Sequence, residues 1–395
     1  MVLILLAAFL SKEGFGQTVN DSSQVQANKF LSHGSKGFEF TDQSGNYLMN
    51  LEFRGQFRLS YPTDNDPVNL DDYQDEQVKL GIKRARIKVG GHSFKPWFKY
   101  YLEYELFSSN LLDFRLMYEK VPWLKVKVGQ WKVQYNRERI ISSGKQQTME
   151  RSILTRVFTV DRQQGLSVFG HIEGENLLNL NYWVSMFMGT GRGNFENDDH
   201  HMMYMSRIQW NFMGQELKFS GSDLEYHEKF VGIVAVAGLT NQSPYTRFSQ
   251  SGGGQLEGFE QGVPGQYRLN QLMQESAGKY RGFSWQQELH YKQILDHVNT
   301  TDTRMVGNLV QAGYFFHHLW NVIPHNLELY ARQAFYLPDL NNSDILQNEI
   351  SFGANYFVFG HRLKLTGEAA HIRTELQSAE SMEGWRYRLQ LDVSF

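Results

Sequence analysis

From Tyr47 to Tyr61 the chain alternates with period two. Tyr47, Met49, Leu51, Phe53, Phe57, Leu59 and Tyr61 fall on one parity, and Asn50, Glu52, Arg54, Gln56, Arg58 and Ser60 on the other. Successive strand side chains point to opposite faces, so this is a long strand with one greasy and one polar face. Leu178, Leu180, Tyr182, Val184, Met186 and Met188 repeat the pattern against Asn179, Asn181 and Ser185; Phe98, Tyr100, Leu102, Tyr104 and Leu106 repeat it against Lys99, Glu103 and Glu105. The C-terminus closes the same way, with Tyr387, Leu389, Leu391, Val393 and Phe395 opposite Arg386, Arg388, Gln390 and Asp392. Such segments lie at 47–61, 78–91, 97–107, 110–121, 123–131, 164–173, 177–189, 201–212, 229–240, 266–277, 279–294, 304–318, 325–337, 347–359, 361–374 and 384–395.

The connections are of two kinds. Val121-Pro122-Trp123, Gly174 to Asn176 and Phe359 to His361 are tight; 62–77, 132–163, 190–200 and 241–265 are long, and 213–228 is long on the side of the tight ones. Short turns at one rim and long loops at the other suit a barrel in an outer membrane, where closure leaves no unpaired backbone in lipid. A soluble sandwich also alternates, but soluble strands run about 5–6 residues. Many segments here exceed ten residues, and aromatic side chains at their ends suit a membrane interface. The predicted fold is all-β: a transmembrane antiparallel β-barrel of about 16 strands.

Composition narrows the function. The 395 residues include no cysteine, which removes disulfide frameworks, thiolate metal sites and cysteine nucleophiles. Lys plus Arg number 39 against 42 Asp plus Glu, a net −3 too balanced for a chain that binds nucleic acid through its overall charge. Beyond residue 10 no apolar run approaches the roughly 20 residues of a membrane-spanning helix. Val2 to Leu10 is an apolar block followed by polar sequence, and residues 1–17 read as a secretory signal cut near Gly16 or Gln17. No Lys or Arg precedes the block, which leaves room for a natural start codon farther upstream.

Several pieces in order resemble the phosphate-selective porin O/P family of Gram-negative outer membranes, over Phe38 to Phe395. They are Gly37-Phe-Glu-Phe with Leu51-Glu-Phe-Arg-Gly-Gln-Phe; Ile82-Lys-Arg-Ala-Arg-Ile87; Val128-Gly-Gln-Trp-Lys132; Leu327-Glu-Leu-Tyr-Ala-Arg332; Gly353-Ala-Asn-Tyr-Phe357 with Gly360-His; and Arg388-Leu-Gln-Leu-Asp-Val-Ser-Phe395. The resemblance implies a homotrimeric, 16-stranded porin whose basic constriction is formed partly by an inward-folded third loop, here 132–163. It also implies a periplasmic N-terminal segment, 18–46, with a short hairpin strand, ahead of the barrel at 47–395. The family usually continues its Gly-Gln-x-Lys stretch with Pro-Phe; Gln134-Tyr135 stands here instead, which predicts a differently shaped start to that loop.

The near-neutral total hides a basic segment. Residues 78–162 hold 10 Lys and 8 Arg against 7 acids, an excess of +11, so the rest of the chain carries −14. Parity places Arg84, Arg86 and Lys88 opposite Ala85, Ile87 and Val89, and Lys125 and Lys127 opposite Leu124, Val126 and Val128; Arg54, Arg58, Lys99 and Arg115 follow the same rule. A lipid-facing charge costs about 2–4 kcal/mol at midplane, so these cations are expected to face the lumen. Loop 132–163 adds Lys132, Arg137, Arg139, Lys145, Arg151 and Arg156. Rings of Arg and Lys favour anions by offsetting the dehydration of the ion and repelling cations. The competing reading is that lumen walls are always charged, and that Glu52, Glu103, Glu105 and Asp113 pair these cations off. The 62–77 loop, with Asp64, Asp66, Asp71, Asp72, Asp75 and Glu76, reads as acidic and external.

Other signals are weak. Gly189-Thr-Gly-Arg-Gly193 has no following helix or Lys-Ser/Thr and reads as a flexible loop, not a phosphate cradle. Asp64-Asn-Asp66 lacks the Gly and Glu of a calcium loop, and Asp198-Asp-His-His201 is at most an adventitious metal site. A barrel lipase would need Ser and His at matched height on the lipid face, which shows no such pair. A surface-binding barrel would use the long loops 241–265 and 132–163. The favoured function is passive diffusion of small anionic solutes across the bacterial outer membrane, with phosphate or polyphosphate as candidates, no chemistry, no cofactor and no metal. Expected partners are outer-membrane lipid, like subunits, and the barrel assembly machinery through Phe395.

Overall fold

The computed structural model describes residues 30–34, 36–67, 73, 76–174, 178–194, 196–250, 252–342, 345–375 and 381–395; the segment 1–17, expected to be a secretory signal, lies outside them. Sixteen antiparallel strands form a closed barrel. They are β1 (Leu48–Tyr61), β2 (Lys79–His92), β3 (Phe98–Glu105), β4 (Asn110–Val121), β5 (Leu124–Lys132), β6 (Arg162–Glu173), β7 (Asn179–Phe187), β8 (Met203–Trp210), β9 (Val231–Ser243), β10 (Tyr267–Tyr280), β11 (Phe283–Asp296), β12 (Thr301–Tyr314), β13 (Leu327–Leu337), β14 (Gln347–Phe357), β15 (Leu363–Glu375) and β16 (Ser381–Ser394). Each pairs with the next, and β16 returns to β1 from Tyr387↔Tyr61 to Ser394↔Arg54. Every segment picked out by alternation holds one of these strands, within a few residues at each end.

The lipid decides which face points where. On β1, Arg54, Gln56, Arg58 and Ser60 are buried while Phe57, Leu59 and Tyr61 are exposed. Where β16 ends, the N-terminal hairpin takes over as the partner of β1, with Phe38↔Leu51 to Thr41↔Leu48. Phe395 completes the seam. Its N–H and C=O bond with Phe53 O and Phe53 N at 3.0 and 2.8 Å, and the two rings stack at 5.8 Å.

The rims depart from a strict short-and-long division. The outer links at 106–109 and 297–300 are short, while the inner links at 211–230 and 315–326 are long. The outer loop at 244–266 carries a small hairpin, Arg247–Gln250 with Gly252–Gly254, too short for periodicity to find. The lumen is not charged all round either. Trp183, Phe187, Met205, Leu239, Met273 and Ile294 on β7–β11 belong to a hydrophobic cluster with Leu154, Val157 and Phe158 of the β5–β6 loop, so this side of the barrel interior is a packed core.

That loop, residues 133–161, carries two short helices, α1 (Arg137–Ile140) and α2 (Leu154–Phe158), inside the barrel. Buried backbone must find partners, and the wall supplies them as side chains. The N–H groups of Arg137, Glu138, Met149 and Ile153 donate to the carboxylates of Glu275, Glu288, Glu368 and Glu349 at 3.0, 2.6, 3.0 and 3.0 Å. The carbonyls of Tyr135, Gln146, Glu150 and Val157 accept from Arg207, Lys364, Arg332 and Lys292 at 3.0, 2.9, 2.7 and 2.7 Å. Gln134 shapes the start of the loop: its Oε1 accepts from Lys127 Nζ and Trp131 Nε1 at 2.9 and 3.0 Å, and its Nε2 donates to Lys132 O at 2.9 Å.

The inner link 211–230 rises to meet this loop. Gly221 N donates to Lys145 O at 2.9 Å, and Glu328 accepts from Ser222 Oγ of the link at 2.6 Å and from Gln147 Nε2 of the loop at 2.7 Å.

Two outcomes follow from this architecture. Deleting Phe395 removes both seam hydrogen bonds and the ring stack, so the yield of compact, heat-modifiable barrel should fall sharply on gels; an unchanged yield would show that the seam closes without it. Replacing Glu349 by Ala strips the fully buried Arg332 of its direct carboxylate partner and leaves it only Glu138 at 3.7 Å, at a cost of about 3 kcal/mol. It also frees Ile153 N–H, so thermal stability in detergent should drop and single-channel current should become larger and noisier; a steady wild-type current would mean that the loop is held by other contacts.

Candidate pore and its constriction

With one side of the lumen filled, the remaining space runs along β1–β5 and β13–β16. It includes an outer cavity of ≈ 690 Å³, a small chamber of ≈ 200 Å³ and an inner cavity of ≈ 540 Å³. Arg84, Arg139, Arg151 and Arg192 border both the outer cavity and the chamber. Along β2, the inward residues pass in order from Arg84 through Arg86, which borders the chamber, to Lys88, which borders the inner cavity.

The sequence-predicted cations divide accordingly. Arg84, Arg86, Lys132, Arg139 and Arg151 come together at the chamber. Arg54, Lys88, Lys99, Arg115 and Lys145 border the inner cavity. Arg58, Lys125, Lys127 and Arg137 border none of these spaces. Arg58 is spent on Gln390 at 2.8 Å, Asp64 at 2.9 Å and Glu150 at 2.7 Å. Lys125 and Lys127 lie over aromatic rings, Phe169 at 5.9 Å and Trp131 at 4.5 Å respectively. Arg137 is buried against the inner link, bonded to Lys218 O and 5.1 Å from the Phe219 ring. Parity puts a side chain on the lumen side; it does not say whether aromatic or loop partners then cover it.

Neutralisation on this wall is extensive. Arg86 pairs with Glu103 and Glu105 at 2.7 and 2.6 Å, Arg84 with Glu150 at 2.8 Å, Arg162 with Asp113 at 2.5 Å, and Arg139 with Asp161. Lys88 pairs with Glu52 at 2.5 Å, Lys99 with Glu119 at 2.7 Å, Arg115 with Asp113 at 2.7 Å and Arg54 with Asp392 at 2.9 Å. The 62–77 loop is not wholly external: Asp64 reaches in to Arg58 and Lys83, and Asp66 to Arg386 at 2.7 Å. Asp71, Asp72 and Asp75 lie outside the described residues.

Burial alone would raise the pKa of the loop carboxyls, but the cations outweigh it. Arg58 and Lys83 bring Asp64 down to about 2. Arg84 and Arg58 hold Glu150 well below the usual range, and Arg139 and Arg162 do the same for Asp161. These acids therefore stay ionised at neutral pH, and each cancels a cation.

A positive remainder survives at the chamber. Among the described residues, Lys132, Arg151 and Arg192 have no carboxylate within ion-pair distance. Arg162, just ahead of the strand segment 164–173, and Arg192, in a run read as flexible, are the chamber cations that sequence reasoning left out. For Arg162 the signal was available, since it belongs to the +11 segment; for Arg192 only the loop's three-dimensional packing reveals it.

No curated protein sequence matches the chain. Among solved structures it is similar in fold to an anion-selective porin from Comamonas acidovorans (TM-score 0.57, 10% identity, covering 88% of this chain and 99% of that one). It is likewise similar to the outer membrane channel DcaP of Acinetobacter baumannii (TM-score 0.57, 11% identity, 90% and 99% covered) and to in-vitro folded OmpT of Vibrio cholerae in its trimer form (TM-score 0.52, 9% identity, 88% and 99% covered). The sequence profile described as phosphate-selective porin O and P matches residues 52–395. With that match spanning nearly the whole barrel, the chain belongs to the phosphate-selective porin O and P family and is a porin of the bacterial outer membrane, a passage for passive diffusion of small solutes.

Proposed function

We propose that this passage is anion-selective, takes small oxoanions of the phosphate class, and works as a homotrimer without catalysing any reaction. The observation that carries the selectivity is the surplus of cations at the ≈ 200 Å³ chamber, where Lys132, Arg151 and Arg192 lack carboxylate partners. A chamber this size forces an ion to shed water, and guanidinium and ammonium groups replace that hydration for anions while repelling cations. Most of the +11 excess of the basic segment does not reach the solute, because wall acids cancel it. Selectivity therefore rests on a few uncancelled charges, whose field extends about 8–10 Å at physiological salt. The trimeric OmpT relative and the anion-selective Comamonas relative support the assembly and the ion preference by analogy of fold. Outer-membrane lipid on the apolar face and the assembly machinery engaging Phe395 complete the set of partners proposed.

In planar bilayers under a potassium chloride gradient, the reversal potential should lie on the chloride side at low salt and shrink as salt rises. A value of zero at low salt would leave a general diffusion pore. Glu150→Gln offers a gain-of-function check: it uncovers Arg84, while Arg58 keeps Asp64, so the anion-to-cation permeability ratio should rise, by roughly two- to fivefold for one added charge within a Debye length. A ratio that falls or stays put would show that Glu150 does not temper the pore field.

A further inference from the structure

The run Gly189-Thr-Gly-Arg-Gly193 is held on several sides. Gly191 N donates to Gln163 Oε1 at 2.9 Å and Gly193 N to Gln130 Oε1 at 2.8 Å, while Asn241 Nδ2 donates to Gly189 O at 3.1 Å and Asn194 Nδ2 to Thr190 O at 2.8 Å. Gly191 has φ +97°, and a Cβ there would stand 2.3 Å from Gly252 Cα, so no other residue fits without moving the outer hairpin. Thr190 is buried. The run is thus a stiff mount, and its one long side chain, Arg192, projects to the boundary shared by the outer cavity and the chamber.

Arg192 differs from every other cation there. Arg84, Arg86, Arg139 and Arg162 are in ion pairs. Arg151 has no carboxylate, but donates to Glu138 O at 3.1 Å and Ile141 O at 2.9 Å, and buried Lys132 has only a 3.4 Å contact, with Ile141 O. Among the described residues Arg192 makes neither an ion pair nor a hydrogen bond, so its whole donor fork is open to a solute. A guanidinium fork matches two oxygens of an oxoanion in parallel, a geometry that a halide cannot use.

We propose that Arg192 is the specificity-determining residue of the passage: it takes a tetrahedral oxoanion from the outer cavity by bidentate hydrogen bonds and hands it to the chamber, which favours oxoanions over halide. This rests on the anion-selective reading above. The chamber, at ≈ 200 Å³, has room for such an ion with part of its hydration.

The test uses the full-length chain in planar bilayers, with chloride current as the signal and inorganic phosphate as the probe. In the wild type, phosphate should block chloride current. Arg192→Lys keeps the charge and removes the fork, so the reversal potential should stay near wild type while the phosphate concentration for half-block rises roughly tenfold. Arg192→Gln should lose the block and part of the anion preference. Both variants should keep wild-type heat-modifiability, since Arg192 bonds to nothing in the barrel. Gly191→Ala retains Arg192 but displaces its mount, and should weaken the block as Arg192→Lys does. A selective wild type whose block is untouched by Arg192→Lys and Arg192→Gln overturns the Arg192 assignment alone. A wild type with zero reversal potential and no block overturns the anion-selective reading itself.

Discussion

The structure depends on one arrangement: a loop backbone buried inside a barrel whose wall meets its hydrogen-bonding needs with charged side chains. Inside a closed sheet there is no free strand edge to pair with, since every main-chain group of the wall is committed to its neighbours. The 133–161 loop can enter only if side chains stand in for a strand. Glu275, Glu288, Glu349 and Glu368 take its N–H groups, and Arg207, Lys292, Arg332 and Lys364 take its carbonyls. Hydrogen bonds with one charged partner are stronger than neutral ones, and here both signs are used, so the loop is fixed without leaving a large net charge behind.

Once the loop is fixed, the route for a solute follows. Apolar residues of β7–β12 seal against α2, and the inner link 211–230 meets the loop from the opposite rim, so the passage is pushed to the wall that carries Arg84, Arg86 and Lys88. The basic segment and the chamber coincide because the loop is pinned across the lumen by Glu275 and Glu288 on β10 and β11 and by Glu349 and Glu368 on β14 and β15, which leaves the β2 wall open. The +11 segment lines the passage, while Glu275, Glu288, Glu349 and Glu368 of the acidic remainder clamp the loop.

Strands were legible because lipid enforces alternation: a barrel strand that lost its period would place a charge in hydrocarbon. The interior was less legible. Arg58 and Arg54 obey the same parity on the same strand, yet Arg58 is closed off by Gln390, Asp64 and Glu150 while Arg54 borders the inner cavity. Lys127 obeys it too, and ends over Trp131. These differences depend on loop residues far away in sequence, which no local pattern encodes. The Gly189–Gly193 run shows the opposite failure. Gly191, which looks like flexibility in one dimension, is required in three by the close backbone approach of Gly252, and hydrogen bonds between the run and Gln163, Gln130 and Asn241 hold the loop.

Extensive pairing raises the question of how such a wall selects an anion at all. A lumen lined by uncancelled arginines would bind an oxoanion too tightly to release it, since conduction needs sites weak enough to leave as well as strong enough to enter. Pairing Arg86 with Glu103 and Glu105, and Arg139 with Asp161, turns strong sites into a fixed, hydrogen-bonded framework with a modest positive field. The acids also hold the guanidinium groups in place, so no reorganisation is needed as an ion passes. What remains free is small and positioned at the smallest of the three cavities, where partial dehydration makes a single charge count most. In this pore the carboxylates are therefore part of the selectivity: they set how tightly the cations hold what they admit.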